Sequence, residues 1–112
     1  MALSLVLGCA AEAADLGQNA GVGANLCAQF SRAYAENPTD VEALYWSWAM
    51  GMMSGMNLAT IANSNTFRDL TADEDILRRA TRGFCTAHPL ARYSGAILDL
   101  YVSLPLKKTT SK

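Results

Sequence analysis

Apolar residues recur every three or four positions in several stretches of the chain, the spacing of a buried face on an α-helix. The first stretch covers residues 25–36, where Cys27, Phe30 and Tyr34 share one face. It ends before Pro38, because a proline disfavours helical geometry in the residue that precedes it. The pattern predicts a short amphipathic first helix.

A second, longer helix is predicted from Thr39 to about Ala62. Thr39 and Glu42 have the spacing of a capping box, in which each side chain binds the backbone N–H of the other residue. We expect this helix to occupy the centre of the fold. Its predicted inward stripe consists of Val41, Leu44, Tyr45, Trp48, Met52, Met56 and Ala59.

Two glycines, Gly51 and Gly55, lie one turn apart inside this helix. Each costs about 1 kcal/mol relative to alanine, so we expect another helix to cross closely and compensate for them. Residues 43–62 carry no charge, which makes a transmembrane helix with a G-x-x-x-G face an alternative. Polar residues dilute the stretch and no Lys or Arg cluster flanks it, so we favour a buried helix without stable membrane insertion.

The same helix carries more apolar bulk than one stripe requires. Trp46 and Trp48 lie about 160° apart around the helix axis, so one face cannot hold both. Methionine-rich faces adapt to varied partners, which suggests partner binding, and a core helix buried on most sides is the alternative. The candidates for either role are Trp46, Trp48, Met52, Met53 and Met56.

Two more helices are predicted, over residues 72–87 and 90–104. A capping box at Thr71 and Glu74 begins the third helix, and Pro105 ends the fourth. No stretch alternates with period two for long enough to predict a strand. The expected fold is all-α, a small four-helix bundle closed by one disulfide.

The helical domain is predicted over residues 25–105. Residues 14–24 are Gly-rich and lack periodicity, so we expect a flexible lead, and residues 106–112 are expected to be a disordered basic tail. Residues 1–13 look like the remnant of a secretory signal peptide, although no Lys or Arg precedes Arg32.

Two other interpretations of this start stay open. The sequence up to Cys9 resembles a lipobox, in which Cys9 would carry the lipid, and a tail without a targeting role is the third interpretation.

Removal of a signal would leave Cys27 and Cys85 as an even pair. In an oxidising compartment we expect them to form a disulfide, which contributes about 4 kcal/mol. Two buried thiols in a cytosolic protein are the alternative.

Composition and charge argue against several classes of protein, including disordered chains and nucleic-acid-binding proteins. The 112 residues are 51% hydrophobic and 17% charged with a formal net charge of −1, which describes one globular domain rather than a disordered chain. The basic residues are scattered, so we expect no nucleic-acid partner. Of the ten acids, Glu12 lies in the predicted signal, so the remainder balances the nine Lys and Arg.

Side chains for catalysis or metal binding are scarce. A zinc site built from the single histidine, His88, with Cys27 and Cys85 lacks a fourth ligand. A Cys85 and His88 nucleophile pair would lose its thiolate to a disulfide. The acids at residues 73–75 occupy ordinary helix-capping positions. We therefore predict a protein that is not an enzyme and uses no cofactor or metal.

Three groups of residues form an ordered pattern: Cys27-Ala28-Gln29-Phe30, Trp48-x-x-Gly51-x-x-x-Gly55-x-Asn57 and Cys85-Thr86-Ala87-His88-Pro89. This pattern resembles the HdeA/HdeB-type family of small exported bacterial proteins. The resemblance covers about residues 25–104 and implies a periplasmic helical domain with one disulfide, often dimeric. The best-known members are acid-stress chaperones that protect unfolding client proteins at low pH.

The expected function is a non-enzymatic periplasmic binding protein with a protein partner or unfolded clients, and with a homodimer as a further form. Protonation of the carboxylates would leave the nine Lys and Arg unbalanced, and self-repulsion would expand the domain within the limit of its disulfide. An immunity or inhibitor protein that binds a secreted toxin enzyme is the alternative, as in the Tai-type family, whose C-terminal cysteine is absent here. An uncharacterised exported helical protein is the third.

Overall fold

The computed structural model describes residues 19–110. The predicted signal remnant at 1–13, Cys9, the first part of the predicted lead and residues 111–112 lie outside the described residues. The prediction of a small helical fold closed by one disulfide is confirmed. In chain order the elements are a turn of 3-10 helix (Gly21–Ala24), α1 (Cys27–Glu36), α2 (Pro38–Ser64), β1 (Thr66–Arg68), α3 (Glu74–Ala87), α4 (Tyr93–Ser103) and β2 (Leu106–Lys108).

One continuous core lies between the four helices. The disulfide joins α1 to α3, with the Cα atoms of Cys27 and Cys85 4.7 Å apart and both side chains fully buried. Each helix contributes to the core through one face, which removes that face from water. The buried apolar residues are Cys27, Phe30, Tyr45, Trp46, Ala49, Met53, Leu77, Cys85, Tyr93, Ala96, Ile97, Leu100, Tyr101 and Leu104.

The buried face of α2 differs from the predicted stripe. Trp46, Ala49 and Met53 are buried, whereas Leu44 from the predicted stripe is 57% exposed. A helix that is apolar on several sides does not define its inward face by periodicity alone, so its neighbours decide which side is covered. The predicted stripe is therefore confirmed at the buried Tyr45 and wrong at the exposed Leu44 and Ala59. Its other members, Val41, Trp48, Met52 and Met56, are partly buried against the core.

The helix caps lie close to the predicted positions but use different residues. The side chain of Asn37 accepts from the Asp40 N–H at the start of α2, so the predicted capping box at Thr39 is wrong. At the start of α3 the carboxylate of Asp73 replaces the predicted cap, Thr71. Asn and Asp are strong N-caps because a short side-chain oxygen reaches the unpaired N–H groups of the first turn.

The described chain also contains an antiparallel pair of strands that the sequence does not predict. Thr66 lies opposite Lys108, Phe67 opposite Lys107 and Arg68 opposite Leu106. The prediction of a disordered tail from residue 106 is therefore wrong for β2.

The prediction of a flexible lead is likewise wrong for residues 21–24, which form the turn of 3-10 helix. Gly23 is buried in this turn and lies directly against the indole ring of Trp48. Backbone atoms approach the ring this closely because glycine carries no Cβ.

Candidate binding site

The five binding candidates on α2 all contribute to the core. Trp46 and Met53 are buried, and Trp48, Met52 and Met56 are partly buried against the core residues. None of them provides an exposed apolar patch. Their positions agree with the core-helix interpretation of this segment.

Gly51 and Gly55 do not make the predicted close helix contact. Both are exposed, and a Cβ added to either glycine meets no atom within 4 Å among the described residues. Within residues 19–110, no crossing helix therefore offsets the loss of helix stability that the two glycines cause.

A cluster of aromatic rings lies beside the disulfide and connects three helices. The ring centroids of Phe30 and Tyr45 are 4.8 Å apart, and Tyr93 lies 5.0 Å from Phe30 and 4.9 Å from Tyr45. The hydroxyl of Tyr45 accepts a hydrogen bond from Asn25, whereas the buried Tyr93 hydroxyl has no partner among the described residues. Burial raises the pKa of Tyr93, and the negative charge of Glu42 adds to the effect.

A cleft lies where α1, α2 and α3 converge at the N-terminus of α2. It has a volume of about 400 Å³ and a polar, mixed-charge lining. The lining residues are Tyr34, Pro38, Thr39, Glu42, Ala43, Asp75, Arg78 and Arg82.

An ion pair in this cleft joins α2 to α3. Arg82 donates to the carboxylate of Glu42 at 2.5 Å, and the two side chains are 30% and 14% exposed. The guanidinium carbon of Arg82 also lies 5.0 Å from the ring centroid of Tyr34 on α1. Nearby, Arg78 binds Glu74 and Asp75 within α3, and these acids contribute to a pKa of Arg78 above its ordinary value. The contacts of Arg82 therefore connect all three helices through charge.

A second polar cluster joins α2, β1 and α4. The side-chain amide of Asn57 donates to the carbonyl oxygen of Arg68 at 2.9 Å and accepts from its N–H at 2.8 Å. The same amide oxygen accepts from the Tyr101 hydroxyl at 2.6 Å. The Arg68 guanidinium donates to the carbonyl oxygens of Val102 and Leu104 at the end of α4. Asn57 therefore holds the small sheet against the helices.

Exposed apolar side chains are spread over several elements rather than gathered on the predicted face of α2. They lie on α2, α3, α4, β2 and the loop before α4. The residues are Leu44, Leu58, Ile61, Ile76, Leu90, Leu98, Val102 and Leu106.

Within residues 19–110, no group of three or more His, Cys, Asp or Glu side chains is placed to hold a metal ion. His88 is exposed at the end of α3, where its ring stacks on Phe84 with centroids 4.4 Å apart. No described helix has both the length and the apolarity of a membrane span.

Comparison with known proteins gives no match to a family model, a curated protein or a solved structure. The resemblance to the HdeA/HdeB-type family therefore stays a prediction.

Proposed function

We propose that this chain is a non-enzymatic bacterial protein of the periplasm that binds unfolding client proteins at low pH. The observation that supports this proposal is the ion pair between Glu42 and Arg82, which joins α2 to α3 across the cleft. The ion pair joins α2 to α3, whereas the disulfide joins α1 to α3. Loss of the Glu42 charge would therefore weaken the contact of α2 with α3 and leave the covalent link between α1 and α3 in place.

The charges around this pair explain why acid would act here. Carboxyl groups are protonated at about pH 2, well below their ordinary pKa range of about 4. Loss of negative charge from the acids of this cleft would leave Arg78 and Arg82 as the charged side chains of its α3 wall. The attraction between α2 and α3 would then be lost, and because α2 carries no Lys or Arg, the remaining repulsion would act between these two arginines of α3.

The pair acts together with the charge of the whole domain. A partly exposed ion pair contributes about 1 kcal/mol, which is too little to open a domain by itself. Protonation of the other acids removes the balance against the nine Lys and Arg, and the resulting self-repulsion favours expansion.

The face of α2 that would be uncovered is apolar and suited to unfolded chains. It carries Tyr45, Trp46, Ala49 and Met53, which are all buried in the folded protein. The disulfide would keep α1 joined to α3 during this change, so the protein would loosen without complete unfolding. Neutralisation of the acid would restore the ion pair and bury this face again.

Light scattering of a denaturing client at about pH 2 and pH 7, with and without the protein, tests the proposal. We expect suppressed aggregation at pH 2 only. The variant Glu42→Gln removes the negative charge at all pH values, so it should lower the unfolding midpoint at pH 7 and move the onset of client protection to a higher pH than in the wild type. Asp99→Asn, at an exposed acid on α4, is the matched control and should behave as the wild type.

Unchanged client aggregation at both pH values would refute client protection. A Glu42→Gln variant that matches the wild type in both measurements would refute the role of the ion pair.

The compartment has a separate test. Protein isolated from its native host under alkylating conditions should contain Cys27 and Cys85 as a disulfide, because the periplasm is oxidising. Mass spectrometry that finds both as alkylated thiols would contradict export.

A further inference from the structure

The hydrogen-bonding pattern of the small sheet leaves one side of β2 open. Thr109 N–H donates to the Asn65 carbonyl, and Asp69 N–H donates to the Pro105 carbonyl, both at 2.9 Å. Bonded and non-bonded pairs alternate along antiparallel strands. The backbone N–H and C=O groups of Leu106 and Lys108 therefore point away from β1.

The opposite edge of the sheet is closed by side chains of α2. The amide of Asn57 binds both backbone groups of Arg68, and the hydroxyl of Thr60 donates to the carbonyl oxygen of Thr66 at 2.8 Å. These contacts satisfy three of the four backbone groups of Thr66 and Arg68 that an additional strand would use beside β1. Among residues 19–110, no hydrogen bond occupies the corresponding groups on the β2 side.

We propose that the outer edge of β2 binds an extended, acidic segment of a partner protein by adding it as a third strand. Unpaired N–H and C=O groups on an edge strand provide the main-chain bonds for such binding, and the side chains beside them select the sequence. The inference goes beyond acid-dependent client protection, because this edge is present in the folded protein.

The side chains along the edge define the chemistry of the partner. Leu106, Lys107 and Lys108 are all exposed, and Val102 is 54% exposed at the end of α4. Lysines on an edge strand discourage pairing with neutral or basic strands and leave pairing with acidic strands favourable. A segment that alternates acidic and apolar side chains fits this surface best.

A second copy of the chain fits the edge less well. Antiparallel pairing of two β2 strands centred on Lys107 places that residue opposite itself, and like charges directly opposite each other are destabilising. Asp69, the acid that directly follows β1, is bound to the N–H and hydroxyl of Thr71 and so is engaged within its own turn. Charge therefore favours a different, acidic partner.

NMR titration of the isotope-labelled protein at pH 7 tests this inference. The probe is a peptide of about six residues that alternates Val and Glu, long enough to span the edge. We expect saturable shifts of the Leu106 and Lys108 amides below about 1 mM peptide. Replacing Glu by Lys in the peptide, or methylating the backbone nitrogens that face β2, should abolish them.

Two charge-reversal variants separate the edge from general electrostatics. Lys107→Glu with Lys108→Glu should weaken binding of the acidic peptide by at least about tenfold. Arg32→Glu with Arg79→Glu changes the net charge equally at exposed sites on α1 and α3 and should leave binding unchanged. Circular dichroism establishes that each variant is folded.

Three outcomes would overturn the inference. The first is the absence of saturable shifts up to about 1 mM peptide, and the second is equal binding of the N-methylated peptide. The third is protection of the Leu106 and Lys108 amides in a dimer without peptide, which would make a second copy the occupant. Each outcome leaves client protection at pH 2 to be judged by its own assay.

Discussion

The indole Nε1 of Trp48 donates a hydrogen bond of 2.8 Å to the carbonyl oxygen of Ala20, so the start of the described chain is fixed to the middle of α2. The same ring covers Gly23, where a Cβ would overlap the indole atoms. We expect Gly23→Ala to lower the free energy of unfolding by about 1 to 3 kcal/mol, as overpacking does elsewhere. Chemical denaturation measures the loss, and an unchanged midpoint would contradict the close contact.

Gly51 and Gly55 provide the opposite case within the same helix. A Cβ at either position meets no described atom, so alanine should raise the free energy of unfolding by about 0.5 to 1 kcal/mol. The gain comes from reduced backbone freedom in the unfolded chain. A loss of stability in both variants, measured by the same denaturation, would show that this face of α2 is covered in solution.

Removal of the Asn57 side chain should detach the small sheet. Asn57→Ala leaves the Arg68 N–H and the Tyr101 hydroxyl without their partner, and we expect a loss of about 2 kcal/mol. Hydrogen exchange should accelerate at the backbone amides of β1 and β2. Asn63→Ala is the control, since the side chain of Asn63 binds only the Ala59 carbonyl on the exposed side of α2. Equal effects from the two variants would refute the structural role of Asn57.

Because of Tyr93, we expect the free energy of unfolding to fall as the pH rises through the alkaline range. Its raised pKa means that the unfolded chain loses the phenolic proton near pH 10 while the folded protein keeps it. The stabilisation is fully present below the ordinary tyrosine pKa, and it is lost as the pH rises above that value. Tyr93→Phe should flatten the fall in unfolding midpoint between about pH 9 and pH 11.

The same variant tests the unpartnered hydroxyl at neutral pH. Removal of a buried polar atom without a partner should leave the stability unchanged or raise it by up to about 1 kcal/mol. Tyr45→Phe is the matched variant, and it should cost about 1 kcal/mol because it breaks the bond from Asn25. A larger loss for Tyr93→Phe than for Tyr45→Phe would show that the Tyr93 hydroxyl is bonded in solution.

The disulfide should contribute a large share of the stability. Cys27 and Cys85 are 58 residues apart in the chain, and closing a loop of that length restricts the unfolded state by about 4 kcal/mol. We expect Cys27→Ala with Cys85→Ala to lower the free energy of unfolding by this amount at pH 7. A change below about 1 kcal/mol would mean that the unfolded chain is already compact in this region.

The helices could be predicted because each combines a long apolar period with a clear stop. The Asn37-Pro38 and Pro105 boundaries agree with the observed helix ends to within about two residues, the usual uncertainty of such limits. The pairing of Cys27 with Cys85 is predicted from the cysteine count only when Cys9 is assigned to the predicted signal. The rotation of α2 could not be predicted, because Trp46 and Trp48 are equally apolar and only their neighbours decide which is fully buried.

Contacts between distant segments were missed. The three-residue strands are too short for a recognisable alternation, and they pair only because α2 and α4 place them side by side. The pair of Glu42 with Arg82 spans 40 positions, so no local pattern marks it. The family pattern includes Asn57, but only the structure shows that its side-chain amide makes the hydrogen bonds to Arg68 that a neighbouring strand would otherwise make.

The disulfide encloses all of α2 and β1 within one covalent ring. A protease that cuts the chain once between the two cysteines would therefore leave the fragments linked. The nicked protein would migrate as one species on a non-reducing gel and separate into two after reduction. A single cut anywhere in α2 would thus release no free peptide until the disulfide is reduced.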